Sequence, residues 1–285
     1  MSFLVPILLI GIAAAAMVPA SARAAGPTLT IVVDGTTRSF DRDALLARPD
    51  AAEISVPRDI AYGAATIYRA VPLAGLLNVA VSADRVLEVE AEDGFVAQLP
   101  LELVDNRDLR QAVAYVAIET ADEPWPLLPA KARSAGPFYI VWLGDRSAAV
   151  PALEWPYQVF RLTVQDAPTK RWPALAVDAK LPALDPVRAG QNLFARTCFT
   201  CHSLNHAGLA VVGPDLNVPM NPTEYLTDAG LRTLIRDPRA VRAWPEQQMP
   251  GFTEEQLSDQ EIGLIVDYLR HMAGRKIPSA EGRAP

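Results

Sequence analysis

The sequence has few of the residues that usually bind metals or carry redox chemistry. Its 285 residues include only two cysteines and three histidines, and all five lie in the last third of the chain. Basic residues are also scarce relative to acidic ones, with 26 Lys and Arg against 33 Asp and Glu, for a net charge of -7. Because phosphate binding needs a basic excess or a basic face, this balance argues against a nucleic-acid partner.

The acidity is confined to the first part of the chain. Residues 25–166 contain 20 acidic and 12 basic side chains, whereas residues 167–285 contain 13 of each. Such an acidic surface attracts a partner with a basic face, although simple solvation of the surface is the commoner meaning of the pattern.

The first 24 residues have the pattern of an export signal. Residues 3–20 form an uncharged apolar run, and the tripeptide Ala22-Arg23-Ala24 has the small-x-small pattern of a cleavage site. We expect the mature chain to begin near Ala25 in the periplasm, with no stable membrane span. The alternative is a retained anchor, since about 18 apolar residues can just cross a bilayer.

Residues 25–166 are predicted to form a mixed α+β domain that is rich in strands. Short β-branched and aromatic runs bounded by Gly, Pro or Asp predict strands. These runs are residues 29–33, 86–91, 138–143 and 158–164. Asp93-Gly94 separates two such runs and predicts a hairpin turn. Three short stretches have helical spacing of apolar residues, namely residues 41–47, 73–77 and 101–104.

The pattern changes after residue 166. Residues 167–185 are rich in proline, which favours an extended, semi-rigid linker between domains. Residues 186–275 are predicted to form an all-α domain, followed by a short tail at 276–285. Its candidate helices are residues 187–198, 222–236 and 258–273. The expected architecture therefore has two domains.

The pentapeptide CFTCH carries the clearest chemistry in the sequence. Cys198 and Cys201 are three residues apart, so on a helical turn both can form thioethers with the vinyl groups of one haem. His202 follows directly and can bind the iron from the proximal side. A redox disulfide and half of a zinc site are alternatives, but both fit poorly with an adjacent histidine and so few further ligands. We predict one covalently attached haem c.

Residues 186–274 around this motif resemble a class I cytochrome c. The resemblance rests on Gly190 and Phe194 before the motif and on Tyr268 in the last helix, and it implies that the first and last helices pack together. The sequence GPDL at residues 213–216 resembles the family's loop below the proximal histidine. The resemblance implies that the Pro214 carbonyl accepts the proton of the other imidazole nitrogen.

The sixth iron ligand has four candidates. Met249 is favoured, because it lies in a Met-Pro loop before the last helix, where this family commonly places its methionine ligand. Met220, near Pro222, is the second candidate. His206 lies too close to His202 in sequence to reach the opposite face of the haem. His271 is expected on a solvated helix face.

Ligation by His202 and Met249 implies a one-electron carrier. A filled sixth position leaves no open site for oxygen, and the soft thioether favours ferrous iron. Trp244 with Arg236 or Arg242 are further candidates for contact with the haem propionates, although surface positions are equally compatible with their spacing.

Residues 27–165 resemble the molybdopterin-binding domain of the sulfite oxidase type. The resemblance runs through YRAVPLAGLL at 68–77, EDGFVAQLP at 92–100, GPFYIVW at 136–142 and EWPY at 154–157. Such enzymes hold molybdenum with a cysteine, yet this domain contains neither cysteine nor histidine. We therefore expect no molybdenum and a non-catalytic domain that serves partner docking.

The sequence thus favours a periplasmic monohaem cytochrome that carries electrons from a donor dehydrogenase to an acceptor cytochrome or oxidase, rather than an enzyme. Three alternatives remain open. The chain can be the cytochrome subunit of a periplasmic dehydrogenase complex, an oxidoreductase whose first domain still binds a pterin cofactor or small substrate, or a haem sensor.

Overall fold

A computed structural model describes residues 26–129, 131–209, 212–245 and 247–278. The predicted export signal at residues 1–24 lies outside the described residues, as does most of the predicted tail. Among the residues described, no helix is long and apolar enough to cross a membrane.

The first part of the chain contains mainly strands. The strands are β1 Thr28–Val33, β2 Thr36–Asp41, β3 Ala52–Val56, β4 Thr66–Pro72, β5 Arg85–Ala91, β6 Val96–Pro100, β7 Val113–Ile118, β8 Phe138–Leu143 and β9 Val159–Asp166. Three short helices interrupt them, α1 Arg42–Leu46, α2 Leu73–Leu77 and α3 Leu101–Val104. Single 3-10 turns span Ser147–Ala149 and Ala152–Glu154.

The strands form two sheets. The five-stranded sheet has the order β2-β1-β9-β5-β6, and the four-stranded sheet has the order β3-β4-β7-β8. All neighbouring strands are antiparallel except β1 and β9, which run parallel with Ile31 opposite Leu162. Both sheets contribute to one continuous apolar core, to which Ile31, Val89, Val116 and Ile140 belong. This agrees with the predicted strand-rich α+β organisation.

The hairpin predicted at Asp93-Gly94 joins β5 to β6. Gly94 has a positive φ of 86°, a conformation that favours glycine, and the Asp93 side chain accepts a hydrogen bond from the Phe95 amide. The turn places Phe95 at the edge of the sheet, where its ring packs against the apolar cores of both domains.

The second part of the chain is helical. Its helices are α4 Pro168–Arg171, α5 Pro186–Thr197, α6 Asp228–Arg236, α7 Pro238–Val241 and α8 Asp259–Ala273, with 3-10 turns at Pro173–Leu175 and Pro222–Glu224. Asp185 caps α5 and is followed by Pro186, while Ser258 and Glu261 form a capping box at the start of α8. The predicted helix at 222–236 is a 3-10 turn followed by α6, because Thr227 supplies a new N-cap.

Helices α5 and α8 cross where Gly190 lies. A Cβ added at Gly190 would be 2.0 Å from the Leu264 carbonyl oxygen, so only glycine permits this approach. Beside the crossing, the rings of Phe194 and Tyr268 lie 5.2 Å apart between centroids. The expected packing of the first and last helices is therefore present.

The proline-rich segment 167–185 differs from the extended linker that its composition predicts. It folds into α4 and a 3-10 turn, and Leu175 and Val177 are buried in the core of the helical domain. The Leu175 carbonyl accepts hydrogen bonds from the Tyr268 hydroxyl and the Gln191 side chain, both at 2.8 Å. Burial of its apolar side chains outweighs the stiffness of its prolines, so the segment belongs to the helical domain.

Candidate functional site

The CFTCH pentapeptide continues directly from the end of α5. Cys198 is the C-cap residue of the helix, and its carbonyl accepts hydrogen bonds from the amides of Cys201 at 3.1 Å and His202 at 2.9 Å. One helical turn therefore holds the three side chains. Both cysteines are free thiols rather than a disulfide.

The loop after the motif orients the His202 ring. Its Nδ1 lies 2.9 Å from the Pro214 carbonyl oxygen. A carbonyl can only accept, so Nδ1 carries the proton and Nε2 presents a lone pair. A Cβ added at Gly213 would be 2.5 Å from Nδ1, which means that the loop backbone lies directly against the ring. The Gly213 amide also donates to the Cys201 carbonyl at 2.7 Å.

Burial keeps the site neutral. It lowers the pKa of His202 below the ordinary value for histidine, although the hydrogen bond to Pro214 opposes the shift. Burial likewise raises the pKa of Cys198 to about 11 and raises that of Cys201. The lowered pKa favours the neutral imidazole, with its proton on Nδ1 and a free lone pair on Nε2 for a metal.

Asp215 holds the motif loop and the Pro214 loop together. Its carboxylate accepts hydrogen bonds from the amides of Asn205, His206, Asn217 and Val218, and from the Ser203 hydroxyl, at 2.7 to 3.1 Å. Burial by itself would raise the pKa of Asp215. The hydrogen bonds from these amides and from Ser203 together lower it by more than burial raises it, so the net shift is downward. The residue was visible in the GPDL sequence, but its role as an acceptor was not predicted.

Three buried asparagines connect these loops to the end of α8. The Asn221 side chain donates to Asn217 Oδ1 at 2.9 Å, and the Asn217 side chain donates to Asn205 Oδ1 at 2.8 Å. Asn221 and Asn217 also donate to the carbonyls of Leu269 and Met272, at 2.9 and 2.8 Å. The sequence does not indicate this ladder, because no spacing pattern marks asparagines that meet only in the folded chain.

A cavity of about 470 Å³ lies next to the motif. The helical domain contributes Thr200 and Cys201 to its lining, and the strand-rich domain contributes Phe95, Trp155 and Tyr157. The hydroxyl of Thr200 is buried and has no hydrogen-bond partner among the described residues. Most of the residues that line the cavity are apolar, and both domains form its walls.

Met249 lies in the loop between α7 and α8. Its neighbours Gln248 and Pro250 line the cavity, whereas the half-buried Met249 side chain between them does not. Arg236 fixes this loop, because its carbonyl accepts from the Phe252 amide at 3.2 Å and its guanidinium donates to the Phe252 carbonyl at 2.7 Å.

The other candidate ligands lie elsewhere. Met220 is 52% exposed and does not line the cavity. His206 is exposed, with a left-handed φ of 63° that suits its amide bond to Asp215. His271 was expected on a solvated face, but its Nε2 accepts a hydrogen bond from the Asp178 amide at 3.1 Å, because the segment before α5 folds back over α8.

The arginines considered for propionate contacts have different surroundings. The guanidinium of Arg236 pairs with Glu254 and Asp259, both at 2.7 Å. Arg242 lies over the exposed Trp244 ring, 5.4 Å from its centroid. Neither arginine lines the cavity.

These residues fit a haem c. The site offers two unpaired thiols, an oriented imidazole nitrogen and a methionine loop beside an apolar cavity, which together are the donor set of covalent haem with His/Met ligation. The close contact of Gly213 with the His202 ring also matches a ligand that must be held in one orientation.

Comparison with known families supports this fit. Residues 187–273 match the family model of cytochrome c, so the chain contains a cytochrome c domain at its C-terminal end. The match supports a haem c electron-transfer role and leaves the strand-rich domain outside it. A comparison with curated protein sequences gives no match.

Proposed function

We propose that this chain is an exported, monohaem electron-transfer protein that passes single electrons between redox protein partners in the periplasm. One observation carries the proposal. Cys198, Cys201 and His202 lie on a single turn at a cavity, within a cytochrome c domain, and the His202 ring is oriented by Pro214.

Each residue of the site has a defined task. Cys198 and Cys201 would hold the haem covalently through thioethers, and His202 would bind its iron through Nε2. Pro214 keeps the Nδ1 proton in place, which makes the imidazole a stronger ligand. Met249, in a loop held by Arg236, would supply the sixth ligand of that iron. A haem held in this way supplies reversible one-electron oxidation and reduction of its iron.

The occupied sixth position favours electron transfer over catalysis. With both His202 and Met249 bound to it, the iron would have no open coordination position for oxygen or peroxide. The residues that line the cavity are mostly apolar, which would lower the polarity of the surroundings of a haem bound there.

The strand-rich domain contributes to the haem site as well as to partner docking. Phe95, Trp155 and Tyr157 line the cavity. The acidic excess of residues 25–166 favours approach of a donor or acceptor with a basic face. The resemblance to the sulfite oxidase type bears on fold only, and we propose no molybdenum site in a domain without cysteine or histidine.

The cofactor is tested by production in a host that attaches haem c. A pyridine haemochrome should show one haem per chain that resists acid-acetone extraction, and metal analysis should show iron without molybdenum. The double variant Cys198→Ser, Cys201→Ser should release its haem on extraction, whereas Thr200→Ala should retain it. Stoichiometric molybdenum, or haem that is extractable from the wild-type chain, would overturn the proposal.

Docking is tested by the ionic-strength dependence of electron exchange. A cationic reagent such as hexaammineruthenium should react faster at low salt than at high salt, and anionic ferricyanide should show the opposite trend. Equal salt dependence for both reagents would rule out electrostatic steering by the acidic domain.

A further inference from the structure

A second pocket of about 260 Å³ lies on the strand-rich domain, directly behind the cavity wall. Lys131, Ala152, Trp155 and Tyr157 line both the pocket and the cavity described above. These four residues thus form a wall that the pocket and the cavity share.

The pocket has a rigid, apolar base. Leu128 and Trp155 are almost fully buried, at 4% and 3% exposure. The rings of Trp155 and Tyr157 each lie 6.4 Å from the fully buried ring of Tyr139, which fixes the two aromatic walls from behind. Flat aromatic walls at a preformed apolar base favour a flat apolar ligand.

The Lys131 ammonium and the Tyr157 hydroxyl are polar side-chain groups of the pocket lining. The Lys131 ammonium is hydrogen-bonded to the Tyr157 hydroxyl and lies 4.7 Å from the centroid of that ring. Lys131 is the one charged side chain among the described residues that line the pocket. An anionic oxygen is the group that such a pair recognises, because it accepts a charge-assisted hydrogen bond.

The size of the pocket restricts the ligand further. Pockets for drug-sized ligands span about 300–1,000 Å³. At about 260 Å³ this pocket lies just below that range and suits a single ring with one or two substituents. Ile60, which is 40% exposed, forms part of the rim and leaves the pocket accessible from solvent.

We propose that this pocket binds a small aromatic anion, such as a ring carboxylate or phenolate, with its ring against Trp155 and Tyr157 and its charged oxygen at Lys131. The site belongs to the strand-rich domain and goes beyond electron transfer by the cytochrome domain. It gives that domain a ligand of its own, next to the cavity.

The test uses isothermal titration of the full chain, purified from a host that attaches haem c, with 4-hydroxybenzoate as the probe. We expect saturable binding of one molecule per chain. Lys131→Met should weaken binding roughly tenfold through loss of a charge-assisted hydrogen bond. Ile60→Glu should weaken it at least as much, because it places a negative charge at the rim. Ile67→Glu is the matched control, since Ile67 is 63% exposed and lies outside the pocket.

Several outcomes would overturn the proposal. One is failure of binding to saturate at millimolar 4-hydroxybenzoate, and another is equally tight binding of the neutral 4-hydroxybenzamide. Unchanged affinity of Lys131→Met for 4-hydroxybenzoate would also overturn it, as would the same loss of affinity in Ile60→Glu and Ile67→Glu. Thermal melting of each variant confirms that it is folded. A haemochrome assay on the same samples separates the two ideas: binding without haem defeats the electron-transfer proposal alone, and haem without binding defeats this one alone.

Discussion

Arg196 of α5 forms a two-point ion pair with Glu154 of the strand-rich domain. Its Nε and Nη2 donate to the two carboxylate oxygens at 2.6 and 3.0 Å. Glu154 is fully buried, and Arg196 lies two residues before Cys198. The helix that leads into the haem motif therefore neutralises a buried charge on the other domain.

Arg196→Met should destabilise the protein by about 3 kcal/mol, because it leaves the Glu154 carboxylate buried without a counter-charge. Chemical denaturation at neutral pH measures the change. The control is Arg270→Met, whose partners Asp228 and Asp267 are both well exposed. Exposed pairs contribute about 0–1 kcal/mol, so equal losses in the two variants would contradict the role of the interdomain pair.

Gly213→Ala should disturb the proximal ligand. The new Cβ would lie within 2.5 Å of the His202 ring and push it away from the Pro214 carbonyl. A more weakly hydrogen-bonded imidazole is a poorer donor to ferric iron, so the reduction potential should rise and the Soret band should change. Gly274→Ala, where the nearest atom is 3.8 Å away, should leave both unchanged. A normal potential in Gly213→Ala would refute this positioning effect.

Met249→Ala should abolish the methionine-to-iron charge-transfer band of the ferric protein, lower its potential and allow external ligands such as carbon monoxide to bind the ferrous form. Met220→Ala should retain the band, since Met220 is exposed and, unlike Met249, has no sequence neighbour that lines the cavity. Loss of the band in Met220→Ala alone would reverse the assignment. Loss in neither variant would exclude both residues.

Asp215→Asn should cost about 2 kcal/mol at neutral pH, because charge-assisted hydrogen bonds become neutral ones. The folded-state pKa of Asp215 is depressed, so its contribution is present above the unfolded pKa of about 3.9 and is lost as pH falls through the folded pKa. The stability difference between wild type and Asp215→Asn should therefore be full at pH 7 and shrink below about pH 4. The exposed Asp122→Asn serves as control, and a difference that does not change with pH would contradict the mechanism.

Local patterns account for what the sequence predicted well. The period of apolar residues and the N-cap at Ser258 predict α8. The Asp93-Gly94 pair predicts the turn between β5 and β6. The contact between His202 and Pro214 was expected from the likeness to class I cytochromes c. Each of these features depends on residues that are close in sequence or on a motif of fixed spacing.

Long-range features were not predicted. Leu153 was assigned to the strand-rich domain, yet its side chain packs in the core of the helical domain. The ion pair of Glu154 with Arg196 joins residues 42 positions apart. The asparagine ladder joins the motif loop and the Pro214 loop to α8. Such contacts form between segments that meet only in the folded chain. Neither the periodicity nor the composition of the sequence predicts which segments meet.

The parallel pairing of β1 with β9 has a consequence for the order of folding. These strands are separated by almost the whole strand-rich domain, so its larger sheet cannot close until residues 159–166 are available. The α5 and α8 pair of the helical domain depends on contacts of shorter range, and local contacts form faster. The last strand of the first domain leads directly into α4. Completion of this sheet is therefore expected to be slower than the packing of α5 against α8.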